Sequence, residues 1–240
     1  MVVADGRPGA KQLDYWWTVL FTDPVAMPLV RLLARTRWLT PNQVSLVAIL
    51  LGAAVGPVFA LGTRAALVAG GVLFYLAFAV DCVDGKLARE LGATSARGAA
   101  LDHLGDAARR ASASLGLLAW VLRSEDASLG APWWAAAYVV LAYLFLELSG
   151  PEKGHARWAV LTERAEGRRG RTGARARWSD ALASRRLLPN PGMPDIQALV
   201  FVIGPLTGLV VPALALGILV LLGGIARAGR RLLRAPPTDS

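Results

Sequence analysis

Four aspartates within residues 81–106 carry the chemistry open to this chain. They are Asp81, Asp84, Asp102 and Asp106, with Gly85, Ala88, Arg89 and Gly98 set between them. All four lie at the end of a strongly apolar stretch. A charged side chain at the bilayer centre costs about 2.5–3.5 kcal/mol on insertion scales, and crowded carboxylates cost more unless a cation neutralises them. On a helix, Asp81 and Asp84 are three apart and Asp102 and Asp106 four apart, so each pair shares a face. A short link around 90–96 lets the two helices run antiparallel and bring both pairs together. Hard oxygen donors of this kind suit Mg2+ or Mn2+. Two such ions, about 3.5–4 Å apart, clamp the attacking and leaving oxygens of a phosphoryl transfer. Arg89, one turn beyond Gly85, is spaced to meet a phosphate.

The elements that must position these groups are membrane helices. The 240 residues are 55% hydrophobic, with a mean hydropathy of +0.45, too apolar for a soluble domain of this size. Apolar runs recur at 41–62, 65–80, 111–122, 132–149 and 196–226, several long enough to cross about 30 Å of hydrocarbon. As one helix the last run would extend about 46 Å. Its flanks are basic on both sides, which calls for an even number of crossings, and Gly204, Pro205, Gly208 and Pro212 supply a turn. The fold expected is an all-α integral membrane protein. Six transmembrane helices fill 39–228, preceded by an N-terminal interfacial amphipathic helix within 1–38. That segment carries Trp16, Trp17 and Phe21 and then Arg31, Arg35 and Arg37, with Pro24 and Pro28 expected to break the run. Thr40-Pro41-Asn42 reads as a helix start with Thr40 as N-cap. Met1 to Tyr15 lacks the apolar run of a signal peptide, so the spans themselves are expected to direct insertion.

Net charge is +9, and its placement sets the orientation. Lys153, Arg157, Arg164, Arg168, Arg169, Arg171, Arg175, Arg177, Arg185 and Arg186 crowd the segment 151–192 between two apolar blocks. Arg227 precedes, and Arg230, Arg231 and Arg234 fall within, a basic tail at 229–240, whereas the connections at Thr63–Arg64 and Arg123–Pro132 carry one arginine each. The positive-inside rule then puts the N-terminus, the basic loop and the tail in the cytoplasm. The aspartates fall at that same rim. So placed, the basic charge suits anionic headgroups or a phosphorylated substrate rather than nucleic acid. Cys82 is the only cysteine, which excludes an intrachain disulfide; it reads as a packing residue rather than a thiolate ligand. A divalent-cation transporter would also need buried carboxylates. No internal repeat of the kind many transporters have is visible, and such sites usually lie at mid-membrane. An intramembrane prenyltransferase would need a second Asp-rich motif, but Met193–Ala226 contains only Asp195.

Asp81-Cys-Val-Asp84-Gly85-Lys-Leu-Ala88-Arg89, eight residues, Gly98, three residues, Asp102, three residues and Asp106 reproduce the pattern D-x2-D-G-x2-A-R-x8-G-x3-D-x3-D. In this the chain resembles the CDP-alcohol phosphotransferase family, with every fixed position matched across 26 residues. The resemblance implies a homodimeric enzyme of the cell (inner) membrane, its active site facing the cytoplasm. Such an enzyme transfers a substituted phosphate from a CDP-alcohol to a second alcohol and releases CMP. CDP-diacylglycerol is the expected donor and a polar alcohol the acceptor; the reverse arrangement, a soluble CDP-alcohol donating to a lipid, occurs in the same family. By position, Asp81, Asp84 and Asp102 would hold one metal ion and Asp81, Asp102 and Asp106 a second, with Asp106 also the general base. Gly85 and Arg89 would line the CDP site, with Ser95 near the pyrophosphate and Asn42, Gln43, Val44 and Ser45 bordering it. Relatives often carry Pro or Ser where this chain has His103, so His103, Arg109 and Arg110 point to a less common acceptor. Arg157 and the arginines of 164–186 are candidates to bind that acceptor if it is phosphorylated.

Overall fold

The computed structural model describes residues 9–123, 130–148 and 174–233, and these are helical, with no strand among them. A π-helical turn, Thr18–Thr22, leads into α1, Asp23–Thr36. The first long helix is α2, Pro41–Phe59. It is followed by α3, Arg64–Glu90, α4, Ala96–Arg123, and α5, Ala131–Leu148. After the residues not described come α6, Ala174–Ser184, and α7, Met193–Ala198. A π segment, Leu199–Ile203, joins α7 to the single turn α8, Gly204–Thr207, and α9, Val210–Leu232, ends the bundle. Four helices are long and apolar enough to cross a membrane: Pro41–Phe59, Arg64–Glu90, Ala131–Leu148 and Val210–Arg230. The 28 residues of α4 are long enough as well, but Asp102, Asp106, Arg109 and Arg110 lower its hydropathy. Met193–Thr207 is apolar but shorter.

Local sequence explains these boundaries. Thr40 and Gln43 form a reciprocal capping box at the start of α2: the Gln43 side chain accepts from the Thr40 N–H at 2.8 Å, and Thr40 Oγ1 accepts from the Gln43 N–H. Thr63 caps α3 through Ala66 N–H at 3.1 Å, and Ser95 Oγ accepts Gly98 N–H at 3.0 Å at the start of α4. Gly208, at φ +81°, turns Met193–Thr207 back against α9, so that Gly204 faces Ala213 and Gly217 faces Val200. Pro24 and Pro28 do not break their segment as expected. Pro24 occupies the first turn of α1, where no donor is needed, and the helix continues through Pro28 with Ala26, Met27 and Val30 buried. The basic segment 151–192 is not all loop, because α6 forms within it. Lys153, Arg157, Arg164, Arg168, Arg169 and Arg171 lie outside the described residues.

Close backbone approach sets the packing of α2, α3 and α4. Along α2, Asn42 lies near Gly98, Gly52 against Arg109, Gly56 against Ser112 and Gly116, and Ala60 at Arg123, so α2 and α4 run parallel. A Cβ on Gly56 or Gly116 would collide with backbone of the other helix, the close contact that small residues permit between membrane helices. Ser112 ties the same seam, donating to Ala53 O at 2.7 Å and accepting from Gly56 N–H at 2.9 Å. Helix α3 runs antiparallel to α2, with Gly70 against Phe59 and Ser45 against Asp84. The main apolar core joins Val55 and Phe59 to Phe74, Leu117, Tyr138, Phe201 and Leu214. A second, smaller cluster of Ala26, Val30, Val44, Val83 and Leu87 fastens α1 at the end where α3 finishes.

Candidate active site

The C-terminal half-turns of α3, the start of α4 and the start of α2 meet at one end of the bundle. Asp84 is 3% exposed and accepts a 2.5 Å hydrogen bond from Ser45 Oγ through Oδ2, while its Oδ1 is buried without a hydrogen-bond partner. Asp81 is also buried; its Oδ2 lies 3.2 Å from Arg109 Nη1. Arg109 bonds Asp106 through its other terminal nitrogen, and Arg110 stands 3.3 Å from the second Asp106 oxygen. Asp102 and His103, in the second turn of α4, are exposed. Gly105 faces α2 and α3: a Cβ there would stand 3.0 Å from Ile49 and 3.7 Å from Asp81 Oδ1.

The expected nucleotide residues divide. Asn42, Ser95 and Gly98 come together, since a Cβ on Gly98 would lie 3.3 Å from Ser95 Oγ and 3.5 Å from Asn42 Oδ1. Gly85 leaves the Arg89 guanidinium close by, at 3.4 Å from an added Cβ. Ser45 reaches the aspartates. Gln43, in contrast, is engaged in the capping box, and Val44 is buried in the smaller apolar cluster. Cys82 packs beside that same cluster.

Two features were not read from the sequence. The first is Arg109, the largest fully buried side chain among the described residues at 1% exposed, with Phe78 and Phe74 5.2 and 5.8 Å from its guanidinium carbon. It faces Asp81 and Asp106. Its i, i+3 spacing from Asp106 was the available signal. The second is a strap, residues 9–17, laid over the end of α3. Gly9 O accepts from Arg89 Nε at 2.7 Å, and Gly9 at φ +61° packs on the Lys86 carbonyl so closely that no Cβ would fit. Asp14 pairs with Arg186 and Leu188 through its backbone, and Trp16 donates to Leu188 O at 2.6 Å. Asp195 accepts Trp17 N–H at 2.7 Å and Gly192 N–H at 2.8 Å. Beneath the strap, Asp23 lies 3.3 Å from Lys86 Nζ and 3.0 Å from Arg186 Nη1, all three buried. Arg186 is therefore a structural cation.

The donor set suits a hard divalent ion: four carboxylates on two helices, one with a buried oxygen that nothing bonds. As the side chains stand, no three His, Cys, Asp or Glu groups among the described residues are close enough to hold a metal. The cation between Asp81 and Asp106 is Arg109.

The family described as CDP-alcohol phosphatidyltransferase matches residues 38–162, just over half of the chain and all of the aspartate motif. The chain belongs to that family. Membership makes it a transferase that moves a phosphatidyl group from a CDP-alcohol to an alcohol. No curated protein matches the chain.

Proposed function

We propose that this chain is a phospholipid-forming transferase that takes CDP-diacylglycerol as donor and a polar alcohol as acceptor, releasing CMP. The observation that carries the reading is the convergence of the motif at one rim, where Asp84 keeps a buried, unbonded oxygen beside Ser45. Gly85 and Gly98 leave room for the nucleotide between Arg89 on one side and Asn42 and Ser95 on the other. Arg89, released from Gly9, binds a phosphate oxygen of the donor. Asp106 stands half in solvent, where an acceptor hydroxyl can reach it. It takes the hydroxyl proton as that oxygen attacks the phosphorus bearing the lipid; the bond from phosphorus to the CMP oxygen breaks, and CMP leaves. Mg2+ or Mn2+ held by Asp81, Asp84, Asp102 and Asp106, two ions at full loading, supplies positive charge to the pyrophosphate when bound. Transfer is direct: Ser45 is committed to Asp84, Ser95 to the start of α4, and Cys82 to packing. The reading includes six crossings of the inner membrane with the aspartate rim cytoplasmic, an interfacial α1 and a homodimer. The alternating directions of α2, α3, α4, α5, the 193–207 helix and α9 support the count.

The test is purified full-length chain with Mg2+, CDP-diacylglycerol and, in turn, inositol phosphate, glycerol phosphate, serine and related alcohols. CMP formed one-for-one with a new phospholipid for one acceptor is the expected result. Failure of every alcohol to release CMP, with transfer from a soluble CDP-alcohol to diacylglycerol instead, would reverse the roles of lipid and alcohol.

A further inference from the structure

We propose that Arg109 is a displaceable internal counter-cation of the aspartate site, a positioning residue that holds Asp81 and Asp106 together until divalent metal replaces it. The inference rests on the metal-dependent reading above. Arg109 is enclosed from three sides: α3 gives Asp81 and two aromatic faces, α4 gives Asp106, and α2 gives Gly52, where an added Cβ would stand 3.0 Å from the Arg109 Cβ. An arginine retained only to hold helices together would be expected to use its donors fully, because a buried unpaired donor is costly. Here Nε is buried and makes no hydrogen bond, and Nη1 meets Asp81 Oδ2 at 3.2 Å as an ion pair of imperfect alignment. The guanidinium is thus held by charge more than by fitted hydrogen bonds.

Its two partners are carboxylates of the motif itself, and one positive charge there does part of the work of a divalent ion. Two consequences follow. The carboxylates stay assembled without metal, so the chain folds in its absence. Metal must compete with a tethered cation, which weakens its apparent affinity. When a divalent ion takes the oxygens, the guanidinium remains against the faces of Phe74 and Phe78, where cation–π attraction gives it a resting place.

The experiment is a Mn2+ titration of the metal-stripped, full-length protein in detergent micelles, read by the electron paramagnetic resonance signal of free Mn2+ and in parallel by thermal unfolding. Arg109→Met is expected to lower the unfolding temperature in chelator yet bind Mn2+ more tightly, by about tenfold, equivalent to about 1.4 kcal/mol. Its unfolding temperature should also rise more on Mn2+ saturation than that of the wild type. Arg109→Lys keeps the charge without the fork that spans two carboxylates. It should tighten Mn2+ binding by a smaller factor, and it decides the question alone if Arg109→Met does not fold. A purely structural arginine would lower stability without tightening metal. Unchanged or weaker Mn2+ affinity in the folded variants, with the wild type binding normally, would overturn the role of Arg109 and leave the metal site standing. No Mn2+ binding by any of the three proteins would overturn both.

Discussion

At the scale of single residues, the aspartates divide the labour unequally. Asp84 is buried with Ser45 on one oxygen, Asp81 shares a guanidinium with Asp106, and Asp102 is exposed. Their types and spacing were legible because chemistry demands them at fixed helical intervals. Arg109 was not, since an arginine three residues after an aspartate looks like an ordinary surface ion pair; only the packing of α2 and α3 over it shows otherwise. Likewise, nothing local separates Val44, which packs, from Ser45, which reaches the site; one residue around a helix decides it. Asp106→Asn is expected to reduce CMP release by about 10²–10⁴-fold, the usual worth of a general base. Binding of CDP-diacylglycerol, measured by equilibrium dialysis against detergent micelles, should largely survive; near-normal turnover would remove Asp106 as base. Ser45→Ala strips Asp84 of its one side-chain partner and should cost about 1–3 kcal/mol of stability, visible as a lower unfolding temperature in detergent.

Elements tell a second story, in which α2 is the organiser. The short link between α3 and α4 suggested that the two aspartate helices pair directly. In the fold both lean chiefly on α2, which meets α4 through Gly52, Gly56 and Gly116. Small-residue seams are weak signals in a chain this rich in Gly and Ala, so sequence alone could not name this one. Gly56→Leu would drive a side chain into the Ser112 carbonyl and the Gly116 backbone. Overpacking of this kind typically costs about 1–3 kcal/mol, and activity and unfolding temperature should fall together. The lone arginines of the two short connections also acquire a role. Arg64 donates to Pro205 O and Leu206 O at 2.7 and 2.8 Å, and Arg123 to Ala60 O, so each satisfies carbonyls at the end of a neighbouring helix. At the other end, Asp23 neutralises two buried cations. Asp23→Ala leaves Lys86 and Arg186 with backbone carbonyls but no paired carboxylate and should destabilise by about 3–5 kcal/mol, measured by denaturant titration of the α-helical circular dichroism signal.

For the whole molecule, the apolar runs announced the bundle, and the basic segments predict its orientation. Spans with few charges were easy to read. The polar first half of α4 was harder, because its charges serve the site while its length follows α2. Orientation is testable with single cysteines in a Cys82→Ser background. Trp38 and Leu61 are both exposed and flank α2 at opposite ends. Trp38→Cys should react with a membrane-impermeant maleimide only after lysis, and Leu61→Cys in intact cells; the opposite pattern would turn the aspartate rim outward.

The most direct test of the central claim is the phosphorus-31 NMR spectrum of the purified chain in micelles with CDP-diacylglycerol and its best acceptor alcohol. Mg2+ should convert the paired pyrophosphate resonances into those of CMP and a phosphodiester. Chelator should halt the conversion, and Asp84→Asn should abolish it while the unfolding temperature stays near that of the wild type. Conversion at the same rate by a well-folded Asp84→Asn, or in chelator, would contradict an account in which these carboxylates assemble the transfer site.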